Sequence, residues 1–287
     1  MRAVKSIALS IGTAMLAACT AVPDLDTRRA AALASAPGAL TEIMIPTRSF
    51  DLAAFLPSGF AQAETESVLT VYIEGDGLAW ITRSRPSDDP TPATPLVMSL
   101  MSSDGRMPAA YLARPCQYVG AGSRNCEATY WTNRRFAPEV VSSMNEAVSA
   151  LKARSPGTRT IRLIGFSGGG VIAALIAARR QDVAGLVTIA APMDINAFTR
   201  HHGVSGLSGS LDPVADRAIL SGIPQIHFVG GQDTVVPQSI VDSYLGSLGA
   251  TLCARLIVVP DASHVSGWQA IGATIHGAAP RCEAEAA

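Results

Sequence analysis

The stretch Leu163-Ile-Gly-Phe-Ser-Gly-Gly-Gly-Val-Ile-Ala-Ala-Leu175 runs from an apolar strand pattern into a helix pattern, with one serine at the join. Gly165-Phe166-Ser167-Gly168-Gly169 fits G-x-S-x-G. That spacing in a strand–turn–helix context lifts a serine hydroxyl clear of a sheet on a sharp turn. The glycines have a physical reason, because side chains beside such a turn would collide with the neighbouring strand and helix. Two other readings stay open at this point. Ser167 can be a packing serine between glycines. Alternatively, Gly168-x-Gly170-x-x-Ala173 is a degenerate dinucleotide loop, with Asp194 at the distance of a ribose-binding acid.

The surrounding pattern is that of alternating strands and helices. Strands are expected at 67–77, 109–120, 159–167, 183–192, 223–231 and 253–262. Helices are expected at 96–101, 137–154, 168–180 and 239–249, the second with Pro138 in its first turn. Several strands are nearly continuous apolar runs, which is the signature of a mostly parallel sheet covered on both faces. The fold class is therefore α/β, in one domain. The stretch from Asp194 to about Leu220 is polar and glycine-rich and breaks the rhythm. It is expected to be a lid-like insertion, about 195–220, overhanging the carboxyl edge where open α/β sheets bind ligands.

Two later residues give the serine partners. "FVGGQDTVVP" puts Asp233 just after an apolar strand, and "VVPDASHVSGW" puts His264 just after the next. Together with the elbow, this Ser…Asp…His order resembles the α/β-hydrolase superfamily over roughly Val68 to Trp268. The resemblance implies a serine hydrolase of esterase or lipase type, acting through an acyl-enzyme and needing no cofactor or metal. Ser167 would be the nucleophile, His264 the base and Asp233 its orienting acid. Asp194 is the rival acid, with helix capping as its other task. Asp261, three residues from His264, is expected to shape a turn. The amide of Gly168 and one from "YIEGDGLAW", Asp76 or else Gly77, would form an oxyanion hole. Here Glu74-Gly75 replaces the His-Gly frequent in relatives, and Asp76 and Glu74 are expected to orient that loop through hydrogen bonds. An amidase, peptidase or thioesterase would use the same triad, and a non-catalytic binding lipoprotein would use the same scaffold.

The amino terminus reads MRAVKSIALSIGTAMLAAC. Arg2 and Lys5 precede an apolar run too short to span a bilayer comfortably. Leu16-Ala-Ala-Cys19 resembles a bacterial lipobox. It implies a signal peptide over 1–18, lipid on Cys19, and a tether over 19–40 leading to a hydrolase domain over 41–287. By the same resemblance, Thr20 in place of Asp implies, in a cell with two membranes, an outer-membrane location facing the periplasm. In that oxidising compartment four cysteines remain. Cys116–Cys126 and Cys253–Cys282 are the expected pairs, since each closes one modest loop.

Of 287 residues, 48% are hydrophobic and 16% charged, which supports a large core. A net charge of −1 offers no bulk attraction to nucleic acid. The expected partners are a small-molecule or lipid-like ester and, through Cys19, a membrane. No Cys/His spacing suggests zinc, and His201-His202 reads as surface. His227 reads as structural, and His276 carries no motif. Trp131, Arg134 and Arg135 follow the expected Cys116–Cys126 loop; packing or surface is their default, with a place near the pocket as the alternative. Trp80 and Trp268 are divided between pocket lining and core.

Overall fold

The computed structural model describes residues 22–282, apart from 37, 63–66, 121, 273, 278–279 and 281. Eight strands form one sheet in the order β1-β2-β4-β3-β5-β6-β7-β8. They are β1 (Leu40–Pro46), β2 (Asp51–Pro57), β3 (Ser67–Ile73), β4 (Ala109–Leu112), β5 (Thr158–Phe166), β6 (Val183–Ile189), β7 (Gln225–Gly230) and β8 (Ala254–Val259). The six strands from β4 to β8 in that order are mutually parallel. β1 and β2 form an antiparallel hairpin that attaches to β4. The sequence pattern does not mark this hairpin. β1 buries only Ile45 fully, so it carries little of the apolar signal that marks the central strands.

The helices are α1 (Leu25–Ala34), α2 (Leu96–Asp104), α3 (Pro138–Ala153), α4 (Gly168–Ala177), α5 (Ile195–His202), α6 (Arg217–Leu220) and α7 (Gln238–Ser247). α3 and α4 pack on one face of the sheet. α1, α2 and the turn at Trp268–Ile271 pack on the other. α4 opens with three glycines, each costing about 1 kcal/mol of helix propensity relative to alanine. The helix forms because every residue in it is buried. Val171, Ile172, Leu175 and Ile176 alone contribute about 2 kcal/mol each from burial.

Within the stretch expected to be a tether, α1 lies against the body. Asp24 caps it, its side chain accepting from the Thr27 amide, and Ala32 is buried in the core. The buried Arg28 pairs with Asp89 at 2.9 Å. An Ala-rich helix with so few large side chains gives no sequence sign of docking, because a contact 61 positions away secures it. The insertion after Asp194 also begins as a regular helix, α5, ended by Gly203 in the left-handed conformation. Both expected disulfides form, Cys116–Cys126 and Cys253–Cys282. Cys19 and the signal-peptide stretch lie outside the described residues. Among the described residues no helix is long and apolar enough to cross a membrane.

Candidate active site

β5 is central in the sheet, and its carboxyl end delivers Ser167 to the turn before α4. Ser167 has φ 49° and ψ −125°, a conformation costly for a residue with a Cβ. The turn is held by its neighbours. The Ser167 amide donates to the Ile189 carbonyl at 2.8 Å, and the Gly170 amide donates to the Ser167 carbonyl at 2.9 Å. A Cβ on Gly165 would lie 2.3 Å from the Gly169 carbonyl oxygen, and one on Gly169 would lie 2.4 Å from those of Ile73 and Glu74. Glycine is thus required by close backbone approach at both positions.

The loops after β7 and β8 bring the other two groups to the same edge. His264 Nε2 lies 3.1 Å from Ser167 Oγ, and His264 Nδ1 lies 2.9 Å from Asp233 Oδ2. The other Asp233 oxygen accepts from the amides of Val235 and Val236, each at 2.8 Å. Asp233 is therefore fixed on both sides. With its carboxylate on Nδ1, the imidazole carries its proton there and leaves Nε2 as an acceptor facing the serine. Trp268 is buried and donates from Nε1 to the His264 carbonyl at 3.0 Å, supporting the histidine loop rather than lining a pocket.

Asp194 takes the other task weighed for it. It caps α5, accepting from the Ala197 amide at 2.7 Å and from the Ser243 hydroxyl at 2.6 Å. Asp261 is exposed. His202 donates to the Val235 carbonyl at 2.7 Å, and among the described residues no group of His, Cys, Asp and Glu could hold a metal ion. His227 is buried between Thr188 and Gln225, and burial pushes its imidazole down to about 3, so it stays neutral. His276 sits in a buried cluster away from the serine, 2.6 Å from Asp104 and 2.7 Å from Arg162.

The loop after β3 forms the other wall. Glu74 Oε1 accepts from the Gly75 amide at 2.9 Å, as expected of a loop-orienting group. Burial raises its carboxyl to about 7, against the Gly75 and Tyr111 hydrogen bonds. Asp76 behaves differently. Its carboxylate pairs with Arg114 through one oxygen and with Arg135 through the other, the latter at 2.5 Å. Burial works to raise this carboxyl, but the Arg135 and Arg114 charges override it and hold it below the usual carboxylate range. Neither the Gly168 amide nor the Asp76 amide donates to another group among the described residues. Gly168 is the first residue of α4, whose leading amides have no intrahelical acceptor. Gly77, at φ +64°, lets the loop pass the Pro90 carbonyl, which a Cβ would approach to 2.0 Å.

Arg114 and Arg135 are the site residues that sequence reasoning missed or under-read. For Arg135 a place near the pocket is only the alternative to packing or surface in the sequence, and nothing local singles out Arg114. Their link to Asp76 spans 38 and 59 positions, and no local pattern encodes it.

These walls enclose a cavity of about 530 Å³ containing Ser167 and His264. Leu78, Trp80, Leu96, Phe136, Phe198 and Leu207 make most of its surface apolar. Phe198 and Leu207 come from the insertion after Asp194. Trp80 is thus a pocket residue, while Trp131 is buried and bonds the Ser87 carbonyl at 3.1 Å.

No protein-family profile matches the sequence, and no curated protein matches it. Solved structures do match. An esterase from Pyrococcus furiosus aligns with a TM-score of 0.60 at 14% identity, over 82% of this chain and 86% of that one. The esterase domain of a Rhodothermus marinus protein aligns at 0.54 and 15% identity, over 82% and 95%. An acylaminoacyl peptidase from Pyrococcus horikoshii aligns at 0.55 and 12% identity, over 83% of this chain and 39% of that one. At these identities the likeness is one of architecture, and with the strand order above it shows that the chain has the α/β-hydrolase fold.

Proposed function

We propose that the protein is a serine hydrolase that cleaves carboxylic esters through an acyl-enzyme. The observation that carries this reading is the linear hydrogen-bonded series Ser167–His264–Asp233, at 3.1 and 2.9 Å, inside a largely apolar cavity. Esterases among the structural neighbours support an ester as the substrate class.

The chemistry follows from the protons. Ser167 Oγ attacks the ester carbonyl carbon while its proton passes to His264 Nε2. Asp233, already bonded to Nδ1–H, stabilises the imidazolium that forms. The carbonyl oxygen becomes an oxyanion and accepts from the amides of Gly168 and Asp76. Collapse breaks the bond to the alcohol oxygen, which takes the Nε2 proton and leaves. Water then repeats the sequence against the acyl-serine, and the carboxylic acid departs with Ser167 restored.

The same reading places the protein in the cell envelope, exported and held by lipid on Cys19. The lipobox-like sequence and the two disulfides support it. Loss of radiolabelled palmitate incorporation in Cys19→Ala is the expected outcome in a bacterial host. A fluorophosphonate probe tests the chemistry. Wild type is expected to label and Ser167→Ala to stay unlabelled. A well-folded wild type that does not label would remove the nucleophile from this account.

A further inference from the structure

The cavity wall formed by the loop after β3 holds more guanidiniums than ion-paired carboxylates. One carboxylate, Asp76, is shared by two guanidiniums, Arg114 and Arg135. Among the described residues no other nearby acid forms an ion pair with Arg135. Asp233 is committed to His264 and two amides. Glu74 is engaged by the Gly75 amide and the Tyr111 hydroxyl. Glu139 pairs with Arg134. Arg114 is buried, whereas Arg135 lines the cavity beside Ser167 and retains some exposure. Arg135 gives Nη1 to Asp76 and Nε to the Thr132 carbonyl at 2.6 Å. Its Nη2 has no partner among the described residues. A guanidinium N–H group without a protein partner, on a side chain that lines an apolar cavity, gains from an anionic acceptor.

We propose that Arg135 is a specificity residue that binds a carboxylate on the substrate, so that the preferred esters are monoanionic: an ester with a free carboxylate in its acyl or alcohol half. This deepens the ester-hydrolase reading and rests on it for turnover, but not for binding. Asp76 anchors Arg135 and cancels Arg114, which leaves the charge of Arg135 for the ligand. The planar guanidinium suits a carboxylate because it offers directed N–H groups. The apolar remainder of the cavity takes the hydrocarbon between carboxylate and ester.

The experiment separates binding from turnover. Affinities are measured by calorimetry on Ser167→Ala, which cannot form the acyl-enzyme. 4-Nitrophenyl hydrogen glutarate is compared with 4-nitrophenyl pentanoate, and 4-(butanoyloxy)benzoate with phenyl butanoate. The anionic member of at least one pair is expected to bind about ten- to a hundred-fold more tightly, as for a charge-assisted hydrogen bond in a dry site. In Ser167→Ala/Arg135→Met the ratio is expected to fall toward one, and Arg135→Lys should restore part of it. Arg135→Met leaves Asp76 and Arg114 as a one-to-one pair, so the wall keeps a balanced charge. Equal affinities within both pairs, or a ratio unmoved by Arg135→Met, would overturn the anion subsite whether or not the wild type turns over esters. Arg135-dependent discrimination with no wild-type hydrolysis and no fluorophosphonate labelling would keep the subsite and remove the hydrolase reading. Arg135→Met lowering wild-type kcat equally on charged and neutral esters would assign the charge to the oxyanion instead, and also overturn the proposal.

Discussion

Asp233→Asn is a near-isosteric change whose consequence can be worked out atom by atom. Asp233 Oδ1 accepts two backbone N–H groups, from Val235 and Val236, at 2.8 Å each. An asparagine can keep both bonds only by placing its carbonyl oxygen there. Its NH₂ must then point at His264 Nδ1, where Oδ2 now lies at 2.9 Å. The reverse orientation would set NH₂ against two N–H donors and forfeit about 1 kcal/mol per bond, besides leaving buried donors unmatched. Asparagine therefore donates to Nδ1 and drives the histidine proton to Nε2. The nitrogen 3.1 Å from Ser167 Oγ then carries a hydrogen and cannot take another. The expected loss is about ten-thousand-fold in kcat, or about 5 kcal/mol of barrier. The folded state should lose only about 1 kcal/mol, because one charge-assisted bond becomes neutral. Hydrolysis of 4-nitrophenyl esters and the rate of fluorophosphonate labelling both read the effect, with thermal melting as the control for folding. If Asp233→Asn kept a tenth of wild-type kcat, the tautomer argument would fail.

Asp194→Ala separates the rival acid from the triad: it removes the cap of α5 and should cost about 1 kcal/mol in denaturant unfolding while kcat on 4-nitrophenyl esters stays within a few-fold. A loss near that of Asp233→Asn would return Asp194 to contention. Asp76→Asn leaves the buried Arg114 guanidinium without a carboxylate and should cost about 3 kcal/mol in urea unfolding, a larger loss than a surface pair could give. Glu74 gives a pH signature. Its carboxyl titrates near 7 in the fold against an ordinary 4.5, so the folded state holds a proton that the unfolded state has released. Stability from this group is fully present below about pH 4.5 and is lost as pH rises toward 7, by roughly 3 kcal/mol in all. Glu74→Gln should remove that decline, seen as wild-type and variant unfolding free energies drawing apart across this window. Parallel pH profiles would refute it. Gly169→Ala should fail to fold or melt far below wild type, since its Cβ would lie 2.4 Å from two carbonyl oxygens.

What the sequence made legible was whatever depends on local geometry or on chain order. The elbow could be read because close packing of backbone leaves no room for a Cβ at Gly165 and Gly169, and that constraint is written as glycine. Asp233 and His264 could be read because parallel neighbouring strands deliver their following loops to one edge, so residues 31 positions apart meet. The central strands declared themselves as apolar runs because both their faces are covered. The edge hairpin of β1 and β2 did not, since Glu42 and other partly exposed residues interrupt the run in β1 and β2 carries two alanines. Docking of α1 was hidden for a related reason: its decisive contact is a buried arginine, and arginine in an Ala-rich stretch reads as solvated. The Asp76–Arg114–Arg135 group is the extreme case. Asp76 can be read as a loop residue near the serine, but the two arginines look like surface charge, and the three become a group only when β3, β4 and the segment before α3 meet at the sheet edge. Charge balance is a property of three-dimensional neighbourhoods. The place of Arg135 in the cavity that holds Ser167, which bears on the choice of substrate, could therefore be seen only in the folded chain.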